Sequence, residues 1–186
     1  NTFDYPFFNL ANELTIRTSP DKKLKFYSWD TQTGGTMHIF SVIAQYKQAD
    51  GTIKVVELNA PHLDELPSQN DFNIYEIHEV EAKNKTHYLT FGWGTHGGGH
   101  QFNIAQVFRI EKDLLIKDNS VLPNKRDLVI TYLRSEKSEL AYDSAKNEIS
   151  YREFVEDKDS GFMKATGKKI MISLGGKKQA DSTAYI

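Results

Sequence analysis

The chain has 186 residues, which favours one domain because domains usually span about 100–200 residues. Its 23 basic and 25 acidic residues leave a net charge of −2 and form no long run of like charge, so a nucleic-acid partner is disfavoured. The absence of cysteine excludes disulfides, thiolate nucleophiles and cysteine-ligated zinc. We therefore expect a single domain over residues 1–186 with no cofactor and no membrane insertion.

The first residue of the chain bears on the cellular compartment of the protein. It begins at Asn1 rather than Met, and no apolar run approaches the ~18 residues that a membrane span requires. We expect that an export signal peptide was removed from this end and that the protein is extracytoplasmic, either periplasmic or secreted.

The first predicted element is a short N-terminal helix. Apolar residues at Phe7, Leu10, Ala11 and Leu14 follow the helical i, i+3, i+4, i+7 spacing, and Pro6 stands near the start of that stripe. Proline is favoured in the first turn of a helix, where its missing N–H has no partner in any case. The pattern predicts one short helix within residues 5–14.

The rest of the chain has the period of two that is typical of strands. Leu24, Phe26 and Ser28 alternate with lysine and tyrosine, and turn residues such as Asp50-Gly51 and Asn84-Lys85 recur along the chain. Turns every ~8–15 residues indicate antiparallel meanders. We predict an all-β fold of three four-stranded antiparallel units over about 14–58, 72–118 and 128–174, joined as a propeller, a sandwich or an open barrel. A loop over about 59–71 separates the first two units.

An internal repeat connects the first two units. Residues 29–35 read WDTQTGG and residues 93–99 read WGTHGGG, at a constant offset of 64 residues. Each copy is predicted to be a strand, a glycine-rich turn and a second strand. The spacing exceeds the ~40–45 residues of a propeller blade, and only three units fit the length. Packed meander sheets are therefore favoured over a closed propeller.

Two resemblances involve the first copy. Residues 19–30, in which a turn precedes a strand that ends in Trp29-Asp30, resemble a strand pair of a β-propeller blade. Residues 27–38, which read YSWDTQTGGTMH, resemble a segment of uncharacterised β-rich exported proteins of bacteria. The second resemblance implies an extracytoplasmic location and brings no known activity.

The repeated turns are the first candidate site. A tryptophan at a strand end can stack on a flat ligand such as a sugar, and glycines let a ligand approach the backbone. The alternative is that both tryptophans belong to the core and that the glycines only turn the hairpins. The candidate ligand-binding residues are Trp29, Asp30, Thr31, Trp93, Thr95, His96 and His100.

Loop histidines give a second candidate site, for a metal ion. Gly97-Gly98-Gly99 between His96 and His100 argues against a helix, but a loop can still bring both imidazoles to one ion together with His38. The predicted metal ligands are His38, His96 and His100, and such a site would make the protein a metal-dependent hydrolase. The acidic turn at residues 157–161 is a third candidate site, for calcium. It lacks most ligands of a calcium loop, so we interpret it as an ordinary turn.

No catalytic motif stands out elsewhere in the chain. The sequence has no Gly-x-Ser-x-Gly elbow and no Gly-x-x-x-x-Gly-Lys phosphate loop. We therefore predict a noncatalytic binding domain whose partner is a protein or a glycan. The alternatives are the metal-dependent hydrolase and a toxin-neutralising or inhibitor protein.

Overall fold

The structure is a computed structural model that describes residues 2–10, 12–33, 35, 37–59, 71–175 and 184–185. The described part is built from β-strands joined by short loops and 3₁₀ turns. The strands are β1 (Thr15–Thr18), β2 (Leu24–Asp30), β3 (Phe40–Lys47), β4 (Ile53–Asn59), β5 (Phe72–Ala82), β6 (Lys85–Thr95), β7 (His100–Glu111), β8 (Leu114–Lys117), β9 (Leu128–Leu133), β10 (Ala141–Asp143), β11 (Glu148–Glu156), β12 (Met163–Ser173) and β13 (Ala184–Tyr185).

The strands form three antiparallel sheets, so the predicted all-β architecture of antiparallel sheets is confirmed. The first sheet has the order β1-β2-β3-β4, and the third has the order β10-β11-β12-β13. The middle sheet has the order β5-β6-β7-β8, with β9 paired to the remaining part of the β7 edge. Each of the three orders follows the sequence, as expected for hairpin-connected meanders.

The middle sheet is packed on both faces. On one face, Phe102 and Ile104 of β7 join a core with Phe26 and Val42 of the first sheet. On the other face, Ala105 and Val107 of β7 and residues of β6 join a second core that includes Ile149 of the third sheet. The three sheets therefore stack as layers, which explains why β7 is buried continuously over residues 102–108.

The first and middle sheets are also joined by hydrogen bonds at a bulge in β5. The register of β5 shifts between Ile74 and Glu76, which leaves Tyr75 as the extra residue. The Ile74 N–H donates to the Ser28 hydroxyl of β2 at 3.1 Å, and the Arg17 guanidinium of β1 donates to the Tyr75 carbonyl. The bulge thus turns backbone groups of the middle sheet toward the first.

The N-terminal segment is not the predicted helix. Its only regular element among the described residues is a 3₁₀ turn at Phe8–Leu10, and Phe7 has a φ of +51°, outside the helical range. The buried Lys25 ammonium donates to the Phe3 and Tyr5 carbonyls at 2.8 and 3.0 Å. These contacts fix the segment on the first sheet, and one of them uses the Tyr5 carbonyl, which a helix over residues 5–14 would need for its own bonds.

The third predicted unit is also corrected. We predicted that it would run from about residue 128 to 174, but β9 pairs with β7 and belongs to the middle sheet. The third sheet consists of β10 to β13. Most of the predicted loop over 59–71 lies outside the described residues. Within the described part, no helix is long and apolar enough to cross a membrane.

Candidate functional site

Three turns, one from each sheet, lie side by side at one end of the layers. They are the loop at residues 31–39 between β2 and β3, the turn at 96–99 between β6 and β7, and the turn at 157–162 between β11 and β12. A methyl group on Gly97 would lie 3.6 Å from the Met37 sulfur. The ring centroids of His100 and Phe162 are 5.7 Å apart. We call this region the three-turn surface; it comprises the described residues 31–33, 35, 37–39, 96–99 and 157–162, with the strand ends that contact them.

The two copies of the sequence repeat contact each other there. The His38 backbone N–H, in the first copy's loop, donates to the Thr95 hydroxyl oxygen of the second copy at 2.7 Å. Thr95 itself is buried. The duplication therefore does more than repeat a hairpin, because it places two related turns against each other.

Asp30 and His38 form a carboxylate–imidazole pair on this surface. The Asp30 Oδ2 to His38 Nδ1 distance is 2.5 Å, and the two side chains are 29% and 41% exposed. The other oxygen of Asp30 accepts the Gln32 N–H at 2.8 Å, at a residue whose φ is +59°. Since Nδ1 is held by the carboxylate, Nε2 is the imidazole nitrogen left to face a ligand.

The imidazole of this pair packs against two aromatic rings. The His38 ring lies 5.5 Å from the Trp93 ring and 5.9 Å from the Phe40 ring, and Phe40 meets Trp93 edge-on at 5.8 Å. The Trp93 indole N–H donates to the Gln101 side-chain oxygen at 3.1 Å. The ring contacts and this hydrogen bond together fix the orientation of the Trp93 side chain, which is half-buried.

Trp29 lies apart from this cluster. The side chains of Phe26 and Ser28 point toward the middle sheet, so Trp29, one position on, projects from the opposite face of β2. It pairs with Ser41, and it makes no ring contact with Trp93 or His38 in the described part of the chain. The two repeated tryptophans thus do not line one shared cleft.

Thr31 closes the first loop. Its N–H and its hydroxyl both donate to the Ile39 carbonyl, at 2.8 and 3.1 Å. The hydroxyl also lies 2.8 Å from that of Thr33. These bonds hold the base of the loop, so Thr31 positions Asp30 and His38.

The other two candidate histidines contact different rings. His96 stacks on Phe102 at 4.6 Å, and burial, followed by the nearby charge of His100, lowers the pKa of His96 below its usual range. His100 instead faces Phe162 of the third turn. Among the residues that the structure describes, no group of three or more His, Asp or Glu side chains could hold a metal ion. The predicted set of His38, His96 and His100 is no such group.

The turn at 157–162 is fixed by one carboxylate. Asp157 Oδ1 accepts the Ser160 N–H at 2.9 Å and its hydroxyl at 3.0 Å, and the Lys164 ammonium contacts Oδ2. The Lys164 hydrogen bond, together with those from Ser160, holds the pKa of Asp157 well below its usual range. The turn thereby presents Phe162, which is 46% exposed.

The glycines of the second copy have a packing role. A Cβ on Gly92 would lie 2.4 Å from the Phe72 ring, and one on Gly94 would lie 2.4 Å from the Phe102 ring and 2.6 Å from the Asp71 carbonyl. Both aromatic rings belong to the core between the first and middle sheets. Gly92 and Gly94 therefore let those rings pack on β6.

Three residues of the surface were missing from the sequence prediction: Met37, Phe40 and Phe162. Phe40 could have been found, because Asp30 pairs with Phe40 across the hairpin and cross-strand partners share a face. Nothing in the sequence places Phe162 beside His100, since that contact depends on how the third sheet packs.

Comparisons of the chain with protein-family models, with curated proteins and with solved structures give no match.

Proposed function

We propose that the protein is a noncatalytic binding domain that contacts a protein partner through the three-turn surface. The observation that carries the proposal is the meeting of three turns from three different sheets. Loops held by a rigid β-scaffold are a common way to build a recognition surface. Turns from all three layers give a broader contact area than one hairpin provides.

The side chains on this surface suit a protein contact. Phe162 is 46% exposed on a turn that is held by hydrogen bonds, so little ordering entropy would be lost when a partner covers it. Because only 46% of Phe162 is exposed, a partner that covers it gains about half of the ~1.5–3 kcal/mol that burying a whole side chain of this kind contributes. Elsewhere on the same surface, His38 and Asp30 supply hydrogen-bonding groups that would fix the orientation of the partner.

The test is affinity capture from an extract of cells that make the protein, with matched variants as bait. Phe162→Ala and His38→Ala alter the three-turn surface, and Leu114→Ala is the control. Leu114 is a similarly exposed apolar residue, at 60%, and it follows the turn at the opposite end of β7. Each bait is first shown to have the thermal stability of the wild type.

We expect a protein that the wild type and Leu114→Ala retain and that Phe162→Ala and His38→Ala lose. Purified, that partner should bind Phe162→Ala several-fold to about tenfold more weakly, up to the equivalent of about 1.4 kcal/mol. Equal retention by all four baits would contradict the proposal. An inhibitor or toxin-neutralising role is one form of this function, in which the captured partner is itself an enzyme or toxin.

A glycan is the second candidate partner, and the Asp30–His38–Trp93 cluster favours it. A carboxylate and an imidazole beside an indole ring can hydrogen-bond sugar hydroxyls and stack on a sugar face. Glycan-array binding that is lost in His38→Ala and kept in Phe162→Ala would select the glycan, because Phe162 lies outside the cluster. The opposite dependence would select the protein partner.

A further inference from the structure

The edge of β9 that faces away from β7 is the basis of a second inference. Among the described strands, only β7 pairs with β9. The Arg134 N–H donates to the Gly99 carbonyl at 3.0 Å, which identifies that opposed pair as a hydrogen-bonded one. Because hydrogen-bonded pairs alternate along an antiparallel ladder, residues 128, 130 and 132 direct their backbone groups to β7. Val129, Thr131 and Leu133 direct theirs away from it.

Part of this outward edge is already used. The Leu133 carbonyl accepts the Glu136 N–H at 2.9 Å. The backbone groups of Val129 and Thr131 have no such bond within the part of the chain that the structure describes. An incoming strand can therefore form a ladder at these two residues and at the Leu133 N–H.

A cavity of about 410 Å³ lies along the same edge. Val129, Ile130 and Thr131 line it from β9, and residues of β11 and β12 line it from the third sheet. Those third-sheet residues are Tyr151, Glu153, Phe154, Met163 and Ile170. A peptide added to β9 would extend the middle sheet and place alternate side chains against these mainly apolar residues.

A second cavity of about 610 Å³ adjoins the first at Tyr151, beside the start of β9. Its charged lining residues are Arg126 and Asp127. The Asp127 carboxylate is compensated by the Lys117 ammonium at 2.7 Å. Arg126 and the neighbouring Lys125 form no ion pair with any described residue, so within that part of the chain no carboxylate pairs with the positive charge at this end of the groove.

We propose that the β9 edge binds an extended peptide segment of a partner protein by antiparallel strand addition. The segment has apolar residues at alternate positions and an acidic residue near its C-terminal end. In an antiparallel pair, the C-terminal end of the added strand lies beside the start of β9, where Arg126 is. Backbone bonds to Val129 and Thr131 supply affinity, and the apolar cavity and Arg126 supply specificity.

The probe is a fluorescein-labelled, C-terminally amidated peptide, Thr-Val-Thr-Val-Thr-Val-Asp, whose fluorescence anisotropy is followed as the full chain is added. We expect saturable binding below about 1 mM, the range of weak linear-motif contacts. Methylation of alternate backbone nitrogens removes the ladder donors and leaves the side chains unchanged. Loss of binding by the methylated peptide supports strand addition, whereas equal binding by both peptides, or none by either, overturns it.

The matched protein variants are Thr131→Pro and Thr131→Ala. Proline removes the outward N–H of residue 131 without breaking a bond to β7. Edge strands tolerate proline at positions whose N–H faces away from the sheet. Alanine removes the same side chain and keeps the N–H. We expect Thr131→Pro to bind the probe at least about tenfold more weakly than Thr131→Ala, since it loses one backbone hydrogen bond. Equal affinities in two folded variants would overturn the proposal.

A charge exchange tests the proposed contact between Arg126 and the acidic residue of the peptide. This test does not depend on how proline affects folding. Arg126→Glu should weaken binding of the probe, and a probe with lysine in place of aspartate should recover that binding. A charge exchange without effect would remove Arg126 from the site.

Hydrogen exchange distinguishes the peptide from a second copy of the chain. We expect the amides of Thr131 and Leu133 to become protected when the probe is added. Protection of the same amides in the protein alone, rising with its concentration, would show that β9 pairs with another copy and would overturn the peptide as occupant.

Discussion

Replacing Asn103 by leucine removes the centre of a buried hydrogen-bond network. The Asn103 amide donates to the Tyr75 hydroxyl at 3.0 Å and to the Gly92 carbonyl at 3.1 Å. Its carbonyl oxygen accepts the Ser138 hydroxyl at 2.7 Å and also the Tyr132 hydroxyl. Asn103 is only 5% exposed, so water cannot readily replace these partners. The network joins β5, β6, β7, β9 and the segment before β10.

The magnitude follows from the bonds that are lost. Leucine has the same number and branching of side-chain heavy atoms as asparagine, so we attribute most of the cost to polar groups that lose a partner. Each such buried group costs about 1–3 kcal/mol, and costs within one network are not additive. We expect Asn103→Leu to lower the free energy of unfolding by about 3–5 kcal/mol. For a chain of this length, that lowers Tm by roughly 10 °C or more.

Urea unfolding followed by tryptophan fluorescence measures this change, with Tyr132→Phe as the comparison. The phenylalanine variant loses one bond to Asn103 and should cost about 1–2 kcal/mol. The reasoning would be refuted if Asn103→Leu cost less than about 1 kcal/mol at an unchanged m-value. It would also be refuted if Tyr132→Phe cost as much as Asn103→Leu.

Two further predictions concern packing and pH. Gly94→Ala should destabilise the chain by about 2–3 kcal/mol in thermal unfolding, because its Cβ would lie 2.4 Å from the Phe102 ring and 2.6 Å from a backbone carbonyl. Gly97→Ala, whose nearest contact would be 3.6 Å away, should cost far less, and similar losses would contradict this packing. The hydrogen bond from Arg109 holds the pKa of Glu111 at about 2, below its ordinary 4.5. The stability it contributes is therefore complete above pH 4.5 and lost as the pH falls toward 2. Tm measured over that interval should fall less steeply in Arg109→Met than in the wild type, and parallel curves would exclude this ion pair as a cause.

The alternation of apolar residues was sufficient to predict the sheets. Leu24, Phe26 and Ser28 face the middle sheet as their period of two requires. The N-terminal pattern failed for a physical reason. The helical spacing of Phe7 and Leu10 is local, whereas the bonds from the Lys25 ammonium that fix this segment come from β2.

The place of β9 could not be read from the sequence. A strand between two meanders can pair with either one, and the choice depends on which edge is free. Because β8 is only four residues long, it covers only one end of β7, and β9 occupies the rest of that edge. The buried Asn103 of β7, which accepts the Tyr132 hydroxyl of β9, adds to this pairing.

The repeat identified two related turns but did not predict how they contact each other. It could not separate Trp29, which projects from the far face of β2, from Trp93, which packs on His38. Nor could it show that the His38 imidazole pairs with Asp30. Both facts depend on the fold of the loop at 31–39 and on contacts between sheets.

The most direct test of the binding function is hydrogen exchange of the chain with and without the partner isolated by Phe162-dependent capture. We expect protection to be concentrated in residues 31–39, 96–99 and 157–162 together, with no change at Leu114 on the opposite end. Protection of only one of these turns, or protection confined to other faces of the sheets, would contradict the conclusion that the three turns act as one binding surface.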